Sequence, residues 1–257
     1  MRNLIVNADD FGYNDDTFRA TVSCFEAGLL TSATILAGKS ASLQAYDYAR
    51  KNHERFSFGL HFNITEGCPM SGGNSSLSDE NGLFRRSLPQ RKHAMAGLLR
   101  ESDIRREFRC QLSELLDHGV NVTHVDGHHH MHKLPLVLHA IKKEMAEFGI
   151  KWIRRPQNFY LYKSWLRGAA NKLLLLQFNG LKYSDCYFGV YADRPDWHLR
   201  LPDLIPDGLT EISLHPGIDE PWRRAECEPF LAPAELRASL ERRDIVLRRH
   251  GELERVS

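Results

Sequence analysis

The sequence predicts an α/β protein, specifically a (β/α) barrel on about seven parallel strands. Three observations carry this. Short β-type runs alternate with helical stretches, chemically active polar residues recur where those runs end, and the length fits. At 257 residues the chain matches one α/β barrel of roughly 250 residues, although two small domains would also fit. Strands are expected at "NLIVNA" (3–8), "SATILA" (32–37), "FSFGLHF" (56–62), "VNVTHV" (120–125), "KWIRR" (151–155), "DCYFGV" (185–190) and "TEISLH" (210–215). The first helix is expected to begin near Asp15 or Asp16, acids suited to a helix N-terminus, and to end at Gly28. Further helices are expected at about 39–51, 101–118, 135–148, 163–178 and 233–249, with Pro135 well placed in the first turn of its helix. A doubly wound open sheet is the second architecture. With no internal repeat and no clean boundary, residues 1–257 are expected to form a single domain.

Composition narrows the function classes. The hydrophobic share of 42% and charged share of 26% are those of an ordinary globular protein. A net charge of +1 offers no nucleic-acid footprint. The five cysteines (Cys24, Cys68, Cys110, Cys186, Cys227) form no CxxC pair and suggest neither a disulfide framework nor a zinc knuckle. Free thiols fit a reducing cytosol. "MRNLIVNADD" meets acids too soon for a signal peptide, and "KLLLLQF" is far short of the ~20 residues that span a bilayer. A cytoplasmic protein is expected, with neither membrane nor nucleic acid as partner; a homodimer is left open.

Two segments break the rhythm. "TEGCPMSGGNSSLSDENGLFRRSLPQ" (65–90) is rich in Gly, Ser and Asn, so this insertion is either a lid that meets substrate or a disordered surface loop. "YADRPDWHLRLPDLIPDG" (191–208), with its prolines and Trp197, is expected to be an ordered loop.

The polar residues fall at strand ends. Asp9 and Asp10 follow the first run, His61 closes the third, Asp126 and His128 follow the fourth, Arg154 and Arg155 end the fifth, and His215 ends the seventh. In a parallel barrel these ends share one rim, where active sites form. An open parallel sheet likewise binds ligands at its strand carboxyl ends. One carboxylate with two imidazoles makes a three-ligand metal set with open positions, and a second carboxylate can serve as general base. Each feature has a plainer explanation when taken alone. An Asp-Asp pair after a strand is commonly a turn or cap, a lone His61 is more often a satisfied polar residue, and a histidine run can be a tag-like or storage sequence. Their coincidence at one rim favours a metal site. Alternation along the strand would aim Asp9 and Asp10 in different directions, which suits a division between base and ligand.

These motifs resemble a known family. "LIVNADDFG", "GLHFNITEG", "THVDGHHHMH" and "SLHPG" are similar, in order, to the motif series of YdjC-like carbohydrate deacetylases, which include chitooligosaccharide deacetylases. The resemblance spans residues 4 to 217 and leaves 218–257 without a motif. It implies a distorted, TIM-like (β/α) barrel and one divalent metal ion, with hydrolysis of an N-acetyl group on an amino sugar or oligosaccharide. By position, Asp10, His61 and His128 would be the metal ligands, Asp9 the general base and His215 the general acid. Either Arg154 or Arg155 would orient the base. Gly127 stands where some members have serine, which leaves the ligand assignment untouched. The Asp-His-His set suits Zn²⁺ chemically, whereas the family is often described with Mg²⁺.

His124 and His128 also make an HxxxH spacing able to chelate a metal on a helix, but they leave a strand with Gly127 between them. His129, His130 and His132 are expected at the rim or behind the ligands, and Asp126 as a hydrogen-bond partner of a ligand imidazole. The second functional reading is another metal-dependent barrel hydrolase acting on phosphoesters or cyclic amides. Two-metal phosphoesterases would need more acids at the strand ends than this chain has. The third is a non-catalytic metal or sugar binder, which would require neither Asp9 nor His215.

Overall fold

In the computed structural model, which describes residues 1–73, 75–158, 165–190, 192 and 196–252, the first strand sets the frame. β1 (Arg2–Phe11) is buried from Asn3 to Phe11, as a parallel strand covered on both faces must be. α1 (Asp15–Ala27) follows. Its cap is Asn14 rather than the aspartates: Asn14 accepts from the Thr17 amide at 2.8 Å, Thr17 Oγ1 accepts from the Asn14 amide at 3.1 Å, and Gly28 at φ 88° ends the helix.

The alternation continues through β2 (Ser32–Ile35), α2 (Ser42–Asn52), β3 (Ser57–Phe62), α3 (Ser87–Met95), α4 (Glu101–Asp117) and β4 (Val122–Gly127). After a 3-10 turn at His128–Lys133 come α5 (Pro135–Glu147), β5 (Trp152–Ile153), α6 (Trp165–Leu176), β6 (Cys186–Gly189), α7 (Trp197–Leu204), β7 (Gly208–Leu214), α8 (Pro221–Leu231), α9 (Ala234–Glu241) and β8 (Ile245–Leu247). The helix expected over 163–178 begins outside the described residues, as do positions 191 and 193–195 of the expected loop.

The sheet runs β5-β4-β3-β2-β1-β7-β6, and every described strand pairing is parallel. β7 takes one edge of β1 along residues 2–8, while β8 (opposite 2–4) and β2 (opposite 7–11) share the other. Between β5 and β6 no ladder forms among the described residues; an isolated bridge, Trp152 to Lys182, and a bond from the Asn158 amide to the Tyr187 carbonyl at 3.3 Å span the gap. Among the described residues the sheet is therefore curled without a closing ladder, a distorted TIM-like barrel with helices around it.

Two expectations are corrected. The helix expected over 233–249 stops at Glu241, because Asp244 turns at φ 52° and Ile245–Leu247 fills the free lower edge of β1. Within the expected loop 191–208, Trp197–Leu204 form α7, which carries Pro202 within it and buries Trp197 against α8, donating from its indole to the Ala225 carbonyl at 3.2 Å. α8 itself was not expected at all. Within segment 65–90, Leu77 and Phe84 are buried, and buried Gln90 donates to the carbonyls of Ile64 and Leu77 at 2.8 and 2.9 Å.

Candidate active and metal site

The carboxyl ends of the strands open into a cavity of about 550 Å³ whose lining includes Asp9, Asp10, His61, His128, His215 and Arg223. The five residues singled out from the sequence thus meet at one mouth. Regular alternation does not bring the aspartates there. The register of β1 against β2 shifts between Ala8 and Phe11, and Asp10 lies in the left-handed region at φ 61°. Such a backbone costs about 1–3 kcal/mol and persists where the surroundings enforce it. The kink puts both carboxyls at the mouth and hands them different neighbours.

Asp10 faces the imidazoles. Its buried Oδ1 has no hydrogen-bond partner of acceptable geometry, yet it lies 3.3 Å from His61 Nε2 and 3.0 Å from His128 Nδ1, with those two nitrogens 3.3 Å apart. Adjacent ligands on an ion with bonds of about 2.0–2.2 Å stand about 2.8–3.6 Å apart, from octahedral to tetrahedral coordination. The triangle has that size.

Each imidazole also has a carboxylate behind it. His61 Nδ1 lies 2.6 Å from Asp126 Oδ1, and His128 Nε2 lies 3.3 Å from Glu66 Oε2. An ionised carboxylate only accepts, so each ring keeps a proton on the outer nitrogen, and once the inner nitrogen gives up its own proton a lone pair turns inward. Three lone-pair donors converging on one point is an arrangement that a cation relieves. Burial opposes a charge on His61, but Asp126, Asp10 and Asp9 outweigh it and raise its pKa to about 10. The site attracts positive charge in whatever form.

Asp9 has a different environment. Arg154, fully buried, donates from Nη1 and Nη2 to the two Asp9 oxygens at 2.7 Å each, and from Nε to Glu211 at 2.6 Å. Its Nη1 is also 2.7 Å from Asp126 Oδ2, and the guanidinium lies over the Tyr187 ring at 4.9 Å. Burial pushes the Asp9 carboxyl up, but Arg154 outweighs it and holds the group at about 2. Glu211 goes the other way: burial pushes it up to about 7 despite the same guanidinium. Asn7 adds a bond from its amide to Asp9 Oδ1 at 2.9 Å. Of the two arginines, Arg154 is the one that contacts Asp9. Arg155 turns to the carbonyls of Ser184 and Asp185. A second donor group, Asp9–His61–Asp126, already holds the Arg154 cation, which disfavours a second metal there.

Across the mouth, His215 presents Nε2 at 3.9 Å from Asp9 Oδ2, with its side chain one-third exposed. Glu226 accepts from both the His215 amide at 2.8 Å and Nδ1 at 3.0 Å. Burial opposes its charge, yet the Glu226 hydrogen bond and the Asp9 and Asp10 charges raise the His215 pKa.

The remaining histidines support the frame. His124 is buried below, 3.2 Å from Asn7 Oδ1 and stacked on His250 with centroids 3.7 Å apart, away from the ligand triangle. The HxxxH pair is therefore no chelate. His132 Nε2 contacts the Arg154 carbonyl at 3.1 Å, and Gly127 leaves it room, since a Cβ there would lie 2.9 Å from His132 Nδ1. His129 Nδ1 meets Thr65 Oγ1 at 2.9 Å. Of the contacts the sequence left unread, Glu66 stood within a quoted motif. Glu211 lay inside the last strand run, and Arg223 and Glu226 lay in the stretch without one.

The model of the family described as YdjC-like protein matches residues 3–254. This chain belongs to the YdjC-like family. Among its relatives, the carbohydrate deacetylase of Geobacillus stearothermophilus is 39% identical, with 86% of this chain and 82% of that protein covered. The carbohydrate deacetylase of Xenopus laevis is 30% identical, covering 93% of this chain and 88% of its own length. In structure, this YdjC-like protein superposes on a crystal structure described as a cellobiose-phosphate cleavage protein from Enterococcus faecalis V583, with a TM-score of 0.80 at 22% identity and 97% of each chain covered. That likeness establishes the barrel alone.

Proposed function

We propose that this YdjC-like protein is a metal-dependent deacetylase that hydrolyses the N-acetyl group of an amino sugar or of an N-acetylglucosamine-containing oligosaccharide. One observation carries the reading. The Asp10–His61–His128 donor triangle has beside it an arginine-held carboxylate and, across from that, a carboxylate-held imidazole. A binder would need only the triangle. The names of the relatives at 30% and 39% identity point to the same chemistry.

Asp10 Oδ1, His61 Nε2 and His128 Nδ1 would hold the ion, and two nitrogen donors favour Zn²⁺ over the oxygen-seeking Mg²⁺. When bound, such an ion supplies Lewis-acid polarisation of the acetyl carbonyl and lowers the pKa of a water. Asp9 is the general base. Arg154 grips it through both oxygens, which keeps it ionised and aimed, and it takes a proton from the attacking water. His215 is the general acid, with Nδ1 held by Glu226 so that Nε2 faces the mouth. Its proton goes to the departing nitrogen, which leaves as an amine instead of an amide anion.

The test is acetate release from N-acetylglucosamine oligomers by protein stripped with a chelator and reloaded with Zn²⁺ or Mg²⁺, alongside elemental analysis. The expected result is about one divalent ion per chain, activity that returns with the ion, and strong loss of the ion in His61→Ala and His128→Ala. Full occupancy in both variants would overturn the ligand assignment. Absence of acetate release from every oligomer under either metal would overturn the substrate class.

A further inference from the structure

Arg223 lies on α8, in the stretch that carried no motif, and is 6% exposed. Its Nη2 donates to Asp10 Oδ2 at 2.8 Å and its Nε to Glu220 at 2.6 Å. The guanidinium stacks over Trp222 at 4.5 Å and stands 5.8 Å from the Tyr13 ring. A separate observation shows that the fold makes room for it. A Cβ on Gly217, the glycine of "SLHPG", would lie 2.7 Å from Arg223 Cδ, 2.9 Å from Asp16 Oδ2 and 3.1 Å from Arg223 Cβ. The arginine stem occupies the space a side chain at 217 would need.

From these contacts we infer that Arg223 is a positioning residue for the metal ligand Asp10. Resting on the metal reading above, the inference goes beyond it to a residue outside every motif. By taking Oδ2, Arg223 leaves Oδ1 as the oxygen turned to the two imidazoles and stops the carboxylate from swinging or offering both oxygens. An arginine suits the task because one planar fork reaches Asp10 and Glu220 together, which a lysine ammonium does not. The glycine at 217 is then explained in part by the metal site, through Arg223, and in part by Asp16 beside it.

Charge and orientation make opposite predictions, so the experiment separates them. A cation 2.8 Å from a ligand oxygen should repel a metal ion, and its removal by charge alone should tighten binding. Loss of an orienting partner should weaken binding by about 10–100-fold. Zn²⁺ titration calorimetry of the stripped full chain is therefore compared for the wild type, Arg223→Met, Arg223→Lys and Gly217→Ala, with circular dichroism as the check on folding. Arg223→Met is expected to bind about 10–100-fold more weakly and Arg223→Lys to recover part of the loss. Gly217→Ala keeps every charge but crowds the stem and Asp16, and is expected to weaken binding. Affinity in Arg223→Met that is unchanged or tighter overturns the inference while leaving the metal reading intact. Should Arg223→Met fail to fold, wild-type affinity in Gly217→Ala does the same. A wild type that binds no Zn²⁺ overturns both.

Discussion

Arg154 grips both oxygens of Asp9, whereas Asp10 turns one oxygen to Arg223 and the other to two imidazoles. Identity and adjacency could be read from "NADD"; the neighbours that divide the roles could not. Asp9, Asp10, His61, His128 and His215 were legible because each ends a strand, and parallel strands deliver their ends to one rim. Glu226 and Arg223 were not, because their contacts depend on where α8 lies and no local pattern encodes that. Glu226 yields a pH prediction. As the proposed general acid, His215 must carry a proton to donate it, and Glu226 helps to raise its pKa, so the alkaline limb of kcat/KM is expected to report the loss of that proton. In Glu226→Gln the shape stays and the charge goes, the His215 pKa falls, and the alkaline limb is expected to move to lower pH. The acid limb should stay in place, since Asp9 remains held at about 2 by Arg154. A limb that does not move in a pH–rate profile would assign Glu226 a purely structural role.

Elements were legible in proportion to how locally they are determined. The seven expected strands are buried apolar runs of the kind parallel sheets need, and each is present. β8 is only three residues long and exists because the lower edge of β1 is open, a tertiary cause. α7 and α8 carry internal prolines, Pro202 and Pro229, which hide helices from pattern reading. At Gly59 on β3 two strands approach closely. A Cβ there would stand 2.6 Å from the His124 carbonyl oxygen and 2.7 Å from its Nε2. Backbone cannot yield as a flexible side chain can. Gly59→Ala is expected to destabilise by about 1–3 kcal/mol, as overpacking does, seen as a lower urea midpoint at unchanged slope. A midpoint equal to wild type would mean that β3 and β4 separate freely.

At the scale of the whole molecule, the donor triangle is a clasp across β1, β3 and β4, since Asp10 belongs to the first, His61 to the second, and His128 directly follows the third. The seam of the barrel lies elsewhere, between β5 and β6, where the ladder is interrupted. An ion held at the triangle therefore stabilises the folded chain by ligand linkage. It binds the assembled strand ends and not the unfolded chain, where the donors are remote. Free metal at a hundredfold excess over its Kd adds about 2.7 kcal/mol. At about 2–4 °C per kcal/mol for a chain near this size, that raises Tm by roughly 5–11 °C. The same measurement separates the two aspartates. Asp10→Asn removes a ligand charge and should lose most of the shift, whereas Asp9→Asn should keep it while losing turnover, since an amide takes no proton from water. Differential scanning calorimetry with and without Zn²⁺ decides the matter. Should Asp9→Asn abolish the shift and Asp10→Asn retain it, ligand and base exchange places, and Arg154 would then be holding the ligand instead of the base.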